Sequence, residues 1–297
     1  PRSTPKPSSA ASDVYKRQLV KLNLSKYRYS KTVSKLVVVK SMIKFGILLY
    51  ISSLVGFLAQ RVDQFIVGIY LSLEVLGEYS PAVILSRVLI YLTVGIQMVL
   101  NAKMSELNSL KENDVMRNIT SYATEYFLHF SGGISVLLAL FSEEIVQIFF
   151  GTSYLLSSKV LPIILIAYTI MAMYRPIASH SFGRGTIHFN TILSIIYIFI
   201  FLCSNYFLLP LYGIYGLVGS MILSNLIALF IWVIIGKYVF SIWIIKKRIV
   251  VYTLVYFSTL FLITYSKVTP EIYPLALLLA VFSIIIALKE LKPLLSK

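Results

Sequence analysis

Long apolar stretches alternate with short polar connections along this chain. Eight stretches of roughly 20 residues stand out, at 45–70, 78–102, 118–141, 160–182, 188–208, 214–236, 249–265 and 272–288. About 20 apolar residues, rising 1.5 Å each, cross the roughly 30 Å hydrocarbon layer of a bilayer. Barrel strands would instead alternate apolar and polar residues over about ten positions, and runs such as 192–201 do not. The pattern predicts an all-α polytopic membrane protein with about eight transmembrane helices.

Composition narrows the class of function. The 297 residues are 58% hydrophobic and 13% charged, which is too apolar for a soluble core. The one cysteine, Cys203, lies inside a predicted span, so an internal disulfide and a cysteine-based metal site are excluded. The three histidines lack ligand spacing, and the common zinc, nucleotide and dinucleotide motifs are missing. We therefore predict no catalytic residue, no metal site, no cofactor and no enzyme activity.

The basic residues lie in alternate connections. Eighteen Lys and Arg side chains fall within 19–44, 103–117, 184, 237–248 and 289–297, and the other set of connections holds Lys159 and Lys267. Cytoplasmic loops carry such an excess, so both ends are predicted to be cytoplasmic, in the cell (inner) membrane. The net charge of +15 follows from this topology and from attraction to anionic membrane lipids, which disfavours nucleic-acid binding.

The sequence predicts four segments of different character. Residues 1–18 are polar and rich in Pro and Ser, and DVYKRQ within them resembles the translated end of a sequencing transposon. We expect a disordered, non-native artefact fused to a truncated frame, with a natural disordered tail as the alternative. Residues 19–44 form a basic cytoplasmic segment, 45–240 hold six helices, and 241–297 hold two further helices.

Charged side chains inside the spans are the main candidates for function. A charge near the bilayer centre costs roughly 2.5–3.5 kcal/mol on insertion scales, and Arg61, Asp63, Arg87 and Arg175 are such charges. Three cations against one anion favour an anionic ligand. For Arg87 and Arg175, placement near a membrane interface is the alternative. On a regular helix Arg61 and Asp63 point about 200° apart, so they cannot face one line.

Two further patterns concern polar residues on predicted helices. Pro176 follows Arg175 and is expected to kink its helix or free a carbonyl, and broken helices in transporters often line cavities. Glu125 and His129 are four residues apart and share a helix face. They form either a titrating pair or a hydrogen-bonded pair between helices.

Four stretches between about 40 and 238 resemble the C-terminal part of polysaccharide-biosynthesis flippases. This family exports lipid-linked oligosaccharides and shares a superfamily with the multidrug and toxin extrusion antiporters. The stretch from FGILLYISSLVGFLAQ to PAVILSRV resembles the helix pair that opens the second half, and EEIVQIFFGTSYLLSSKVLPIILIAY its outer surface segment. FGRGTIHFN and LLPLYGIYGLVGSMILSN resemble its inner and outer turns.

The resemblance implies the second lobe of a two-lobe exporter that works by alternating access. The eight spans would be the last eight of fourteen, and the first lobe would be missing. The cargo would be an oligosaccharide on a polyprenyl phosphate or pyrophosphate, bound by Arg87, Arg175 and Arg61 in a cavity. Asp63, Glu125 and His129 would gate the cavity or couple transport to a proton or sodium ion. The alternatives are a drug or cation antiporter of the same fold and a polytopic enzyme of polysaccharide assembly.

Overall fold

The computed structural model describes residues 35–243, 246–265 and 272–295. The chain divides into two compact units, Pro1–Ile47 and Leu48–Lys297. All regular structure within the described ranges is helical, which confirms the predicted all-α class. The predicted artefact at 1–18, and most of the predicted basic segment at 19–44, lie outside the described residues.

We number the helices in chain order over the described ranges. They are α1 (Lys35–Ala59), α2 (Val62–Tyr70), α3 (Leu73–Ser109), α4 (Asn113–Leu140), α5 (Ser142–Phe150), α6 (Leu155–Gly183), α7 (His188–Tyr212), α8 (Ile214–Tyr238), α9 (Lys247–Tyr265) and α10 (Ile272–Leu295).

Six of the described helices are long and apolar enough to cross a membrane. They are α3, α4, α6, α7, α8 and the Lys247–Thr264 part of α9. A shorter apolar stretch, Tyr273–Lys289, lies in α10. The chain is therefore a multi-pass membrane protein, as the apolar pattern predicts.

The first predicted span, 45–70, is wrong as a single helix. The structure ends α1 at Ala59 and starts α2 at Val62. At the break, the backbone N–H of Arg61 donates to the carbonyl of Leu58, three residues back, at 3.0 Å. A three-residue bond of this kind tightens the end of a helix, and two successive polar residues, Gln60 and Arg61, occupy the turn.

Two helices form the centre of the bundle. The apolar stretches of α4 and α6 are 78% and 67% buried, against 17% for α9. Helix α6 packs against α3, α4 and α8, and α10 packs along α4.

Two glycines let α4 pack closely against its neighbours α9 and α10. Gly132 faces α9, and a Cβ there would lie 2.8 Å from the ring of Tyr256. A Cβ at Gly133 would lie 3.1 Å from the Ala280 carbonyl oxygen in α10.

Short connections between consecutive helices give the bundle two distinct ends. Because neighbours joined by short loops run antiparallel, the connections alternate between the ends. We call one the α5 end; it holds α5, the start of α6 and the α7–α8 turn at Gly213, whose φ of +56° suits glycine. We call the other the basic end; its connections carry Lys111, Arg184 and Lys246.

Candidate functional site

Arg87 of α3 holds the break between α1 and α2. Its Nη2 donates to the backbone carbonyl of Gln60 at 3.2 Å and to Oε1 of Gln64 at 3.3 Å. The guanidinium is buried, with 9% of the residue exposed. A broken helix leaves backbone carbonyls without ladder donors, and in an apolar setting each needs another donor. Arg87 supplies that donor from the neighbouring helix.

Arg61 meets Arg87 at the same acceptor. Its Nη1 donates to Oε1 of Gln64 at 3.3 Å, and its guanidinium lies over the ring of Phe57, 5.8 Å from the centroid. The Arg61 and Arg87 nitrogens each lie 3.3 Å from this one oxygen, so the two guanidinium groups are close neighbours. We call Arg61, Gln64 and Arg87 the Gln64 junction. An amide carries no net charge, so the junction holds two cations that Gln64 does not neutralise.

Asp63 lies one position away from the junction but has a different environment. It is 3% exposed, and its Oδ2 accepts a hydrogen bond from the Tyr79 hydroxyl at 3.0 Å. Its Oδ1 has no hydrogen-bond partner among the described residues. A buried carboxylate costs free energy unless it is hydrogen-bonded or paired, so Asp63 is a candidate for contact with an ion, a proton or a polar ligand group.

A central cavity of about 220 Å³ adjoins this region. Its wall includes Gln60 at the helix break, Asp63 of α2, Gln97 of α3 and Arg175 of α6. Aromatic side chains from α6, α7 and α8 complete it, namely Tyr168, Tyr174, Tyr197, Phe201 and Trp232. The structure thus brings Asp63 and Arg175 to one cavity. Arg87 and Arg61 are absent from this lining, and Arg87 contacts it through the carbonyl of Gln60.

Arg175 is held in the cavity by a neutral partner. Its Nη1 donates to Oε1 of Gln97 at 2.6 Å, and only 8% of the residue is exposed. Its Nε is buried and has no partner among the described residues. Helix α6 continues through the following Pro176 to Gly183. Because proline has no N–H, the carbonyl of Ala172, four residues back, loses its ladder donor next to Arg175.

Glu125 and His129 belong to a different site. Glu125 forms a 2.8 Å ion pair with Lys246, and Nδ1 of His129 lies 2.8 Å from the hydroxyl of Tyr256. Tyr256 in turn donates to Ser283 of α10 at 2.6 Å. Both α4 side chains line a small cavity of about 80 Å³ that shares no lining residue with the central cavity. Their contacts join α4 to α9 and α10.

The charges of the central site form no ion pair with any of the described residues. The pairs found among the described residues are Lys103–Glu106, Arg117–Asp114 and Lys246–Glu125. The described residues also contain no cluster of three or more metal-ligating side chains. Buried charges are normally paired or bound to a ligand, so the buried cations at Arg87 and Arg175 leave room for an anion.

A family model matches the first part of the chain. Residues 16–159 match a family model described as polysaccharide biosynthesis protein. Over these residues the chain is similar to the polysaccharide biosynthesis family. The matched region is just under half of the 297 residues and includes α1 to α5, hence the helix break and the Gln64 junction. No curated protein and no solved structure matches the chain.

Three residues that contribute to the site are not among those the sequence predicts. Gln64, Gln97 and Tyr79 hold Arg87, Arg175 and Asp63 in place. A sequence signal exists for the glutamines, because amides inside apolar spans are costly unless hydrogen-bonded. The partners of these residues depend on which helices pack together, and the sequence pattern does not predict that packing.

Proposed function

We propose that this protein carries a lipid-linked oligosaccharide from the cytoplasmic to the outer leaflet by alternating access. The lipid carrier would be a polyprenyl phosphate or pyrophosphate, and buried arginines would bind its phosphate group. The observation that supports the proposal most strongly is Arg175, a buried cation in the central cavity whose Nε has no partner among the described residues.

The contacts of Arg175 suit phosphate binding. Gln97 fixes the guanidinium at 2.6 Å without neutralising it, so the positive charge stays available to a ligand. Guanidinium and phosphate form short, charge-assisted hydrogen bonds, often two in parallel. In a membrane protein such bonds replace part of the hydration that a phosphate loses. A volume of about 220 Å³ is small for an oligosaccharide, so we assign only the phosphate region to this cavity.

The Gln64 junction supports the same proposal. Arg61 and Arg87 approach each other around one neutral oxygen, and an anion placed there would relieve their mutual repulsion. We propose that the junction, adjoining the cavity through Gln60, is a second phosphate contact during transport. Asp63, which lines the cavity, is proposed to gate it or to couple transport to a proton or sodium ion.

The proposed orientation of the protein in the membrane rests on the distribution of Lys and Arg between the two ends of the bundle. The basic end would face the cytoplasm and the α5 end the outside, because cytoplasmic loops retain Lys and Arg. The protein would then lie in the cell (inner) membrane with both chain ends in the cytoplasm. Glu125 and His129 are proposed to brace α4 against α9 and α10, so any effect on ion coupling would be indirect.

The test is export by Arg175 variants in cells that lack any other exporter of the same saccharide. The protein is expressed from its native gene, and surface polysaccharide and internal lipid-linked oligosaccharide are both quantified. We expect Arg175→Ala to lower export at least about tenfold, the equivalent of one lost charged hydrogen bond. Arg117→Ala is the control, because this arginine forms an exposed pair with Asp114.

Each alternative has its own outcome. Normal export by a well-expressed Arg175→Ala protein would sink the phosphate-ligand proposal. Cells that instead lose resistance to cationic dyes would indicate the antiporter. A changed polymer structure with unchanged export of the lipid-linked unit would indicate an enzyme of polysaccharide assembly.

A further inference from the structure

A large groove lies at the α5 end of the bundle, far along the helices from the basic end. Its volume is about 860 Å³. Its wall is made from the end of α4, the start of α5, the start of α6, the α7–α8 turn, the end of α9 and the start of α10. No lining residue is shared with the central cavity. The groove is therefore a separate feature of the molecule.

Three tyrosines and three charged groups give the groove its chemistry. Tyr212, Tyr215 and Tyr273 are 63%, 46% and 37% exposed, so their rings are open to a ligand. Glu143 and Glu144 lie on α5 and Lys159 on α6. Among the described residues, no ion pair and no side-chain hydrogen bond involves any of these six.

We propose that this groove is a second binding site, which takes the uncharged sugar units of a saccharide. Sugar hydroxyls donate to carboxylate oxygens, which accept up to about four hydrogen bonds each. The C–H faces of sugar rings pack on aromatic faces, whose electron density attracts them. The groove also falls within the roughly 300–1,000 Å³ range of small-molecule sites, and it is about four times the volume of the central cavity.

The charges of the groove argue against other occupants. Among the described lining residues, two carboxylates stand against one ammonium and repel a lipid phosphate, so an anionic headgroup is disfavoured. An apolar helix laid over the groove would bury Glu143 and Glu144 without partners, at a high cost in desolvation. A polyhydroxylated, neutral ligand satisfies both the carboxylates and the rings.

The position of the groove gives it a role that rests on the proposed function. If the basic end faces the cytoplasm, the groove lies on the exit side of the membrane. It would hold the sugar chain as the cargo emerges while the phosphate is still near the central arginines. Phosphate and sugar would then be recognised by different residues at different depths of one lobe.

The test is direct binding of sugar to the purified full chain in detergent. The probe is the pool of oligosaccharides released by mild acid from the lipid-linked material of the source cells, freed of phosphate. Saturation-transfer NMR reports which sugars touch the protein. We expect transfer with the unchanged protein, and about tenfold weaker binding for Tyr215→Ala and for Glu144→Gln.

The control is Tyr206→Ala. Tyr206, on α7, is an exposed tyrosine like Tyr215, with 77% of the residue exposed, but it lies outside the groove. We expect it to bind sugar as the unchanged protein does. Arg175→Ala should also keep its sugar binding, because the central cavity is assigned to phosphate.

Several results would overturn the groove proposal. They are the lack of saturation transfer to the unchanged protein, displacement of the sugar by phosphatidylglycerol, and loss of binding in Arg175→Ala with full binding in Tyr215→Ala. The outcome is separable from the proposed function. Sugar binding at the groove with normal export by Arg175→Ala would retain the groove and sink the phosphate site.

Discussion

Arg61 and Arg87 donate hydrogen bonds to one oxygen, Oε1 of Gln64, at 3.3 Å each. Like charges brought this close repel each other, and a neutral amide offsets little of that repulsion. An anion that joined the junction would lower this repulsion. Gln64 is the residue whose replacement best separates the stability of the junction from its use in transport.

Gln64→Glu should stabilise the protein and stop export. A carboxylate between two guanidiniums converts two neutral hydrogen bonds into charge-assisted ones and occupies the place of an anion. We expect a thermal midpoint higher by about 2–4 °C per kcal/mol gained, with export at least about tenfold lower. Thermal unfolding in detergent and the surface polysaccharide assay measure the two effects. A Gln64→Glu protein that exports normally would show that the junction does not meet the cargo.

Arg87→Lys distinguishes two roles of Arg87. Lysine can donate to the Gln60 carbonyl but lacks the planar fork that binds phosphate with two bonds. If Arg87 binds cargo as proposed, Arg87→Lys should insert and fold but export at least about tenfold less, and Arg87→Ala should export none. Unimpaired export by Arg87→Lys, with loss only in Arg87→Ala, would confine Arg87 to holding the helix break.

Asp63→Asn should uncouple transport while keeping the fold. Asparagine still offers an oxygen to the Tyr79 hydroxyl, now 3.0 Å from the carboxylate. It also removes a buried charge that has no ion pair among the described residues. We expect an unchanged thermal midpoint and loss of the dependence of export on the proton or sodium gradient. The comparison is Tyr79→Phe, which leaves a carboxylate oxygen without its donor and should cost about 1–3 kcal/mol of stability. An Asp63→Asn protein with the same gradient dependence as the unchanged one would remove Asp63 from coupling.

The helices themselves follow closely from the apolar pattern. The span predicted at 214–236 corresponds to Ile214–Tyr238, since a bilayer requires about 20 apolar residues whatever the partners. The break at Gln60 and Arg61 was not predicted. The mean hydropathy of a long apolar stretch shows that it can cross a membrane, but not whether the helix is continuous. What stabilises the break is Arg87, 27 residues later in the chain, and that contact is a product of packing.

The candidate site was predictable only in part, for a similar reason. Arg61, Asp63, Arg87 and Arg175 stand out in the sequence because charges inside spans are rare. Helical spacing places Glu125 and His129 on one face but does not reveal that Lys246 and Tyr256 are their partners. Contacts between helices decide which charges share a cavity, and these contacts cannot be predicted from the pattern of a single sequence.

The two ends of α3 should be accessible from opposite sides of the membrane. Leu73 is 77% exposed at its start and Leu110 is 58% exposed just past its end. In a Cys203→Ala background, Leu73→Cys should react with an impermeant maleimide added to whole cells, and Leu110→Cys only after the membrane is opened. Leu73 is preferred to Ser72, whose hydroxyl caps α3 through the N–H of Val75. The opposite labelling pattern would reverse the proposed orientation.

Gly216→Ala should destabilise the turn that joins α7 to α8. A Cβ at Gly216 would lie 2.1 Å from the carbonyl oxygen of Leu208, which belongs to the backbone and cannot move aside easily. We expect a loss of about 1–3 kcal/mol, the usual cost of overpacking, seen as a lower thermal midpoint. Gly219→Ala is the matched control, because nothing lies within 4 Å of its Cβ position and alanine favours the helix by about 1 kcal/mol. Equal midpoints for the two variants would show that α7 and α8 are not in close contact at Gly216.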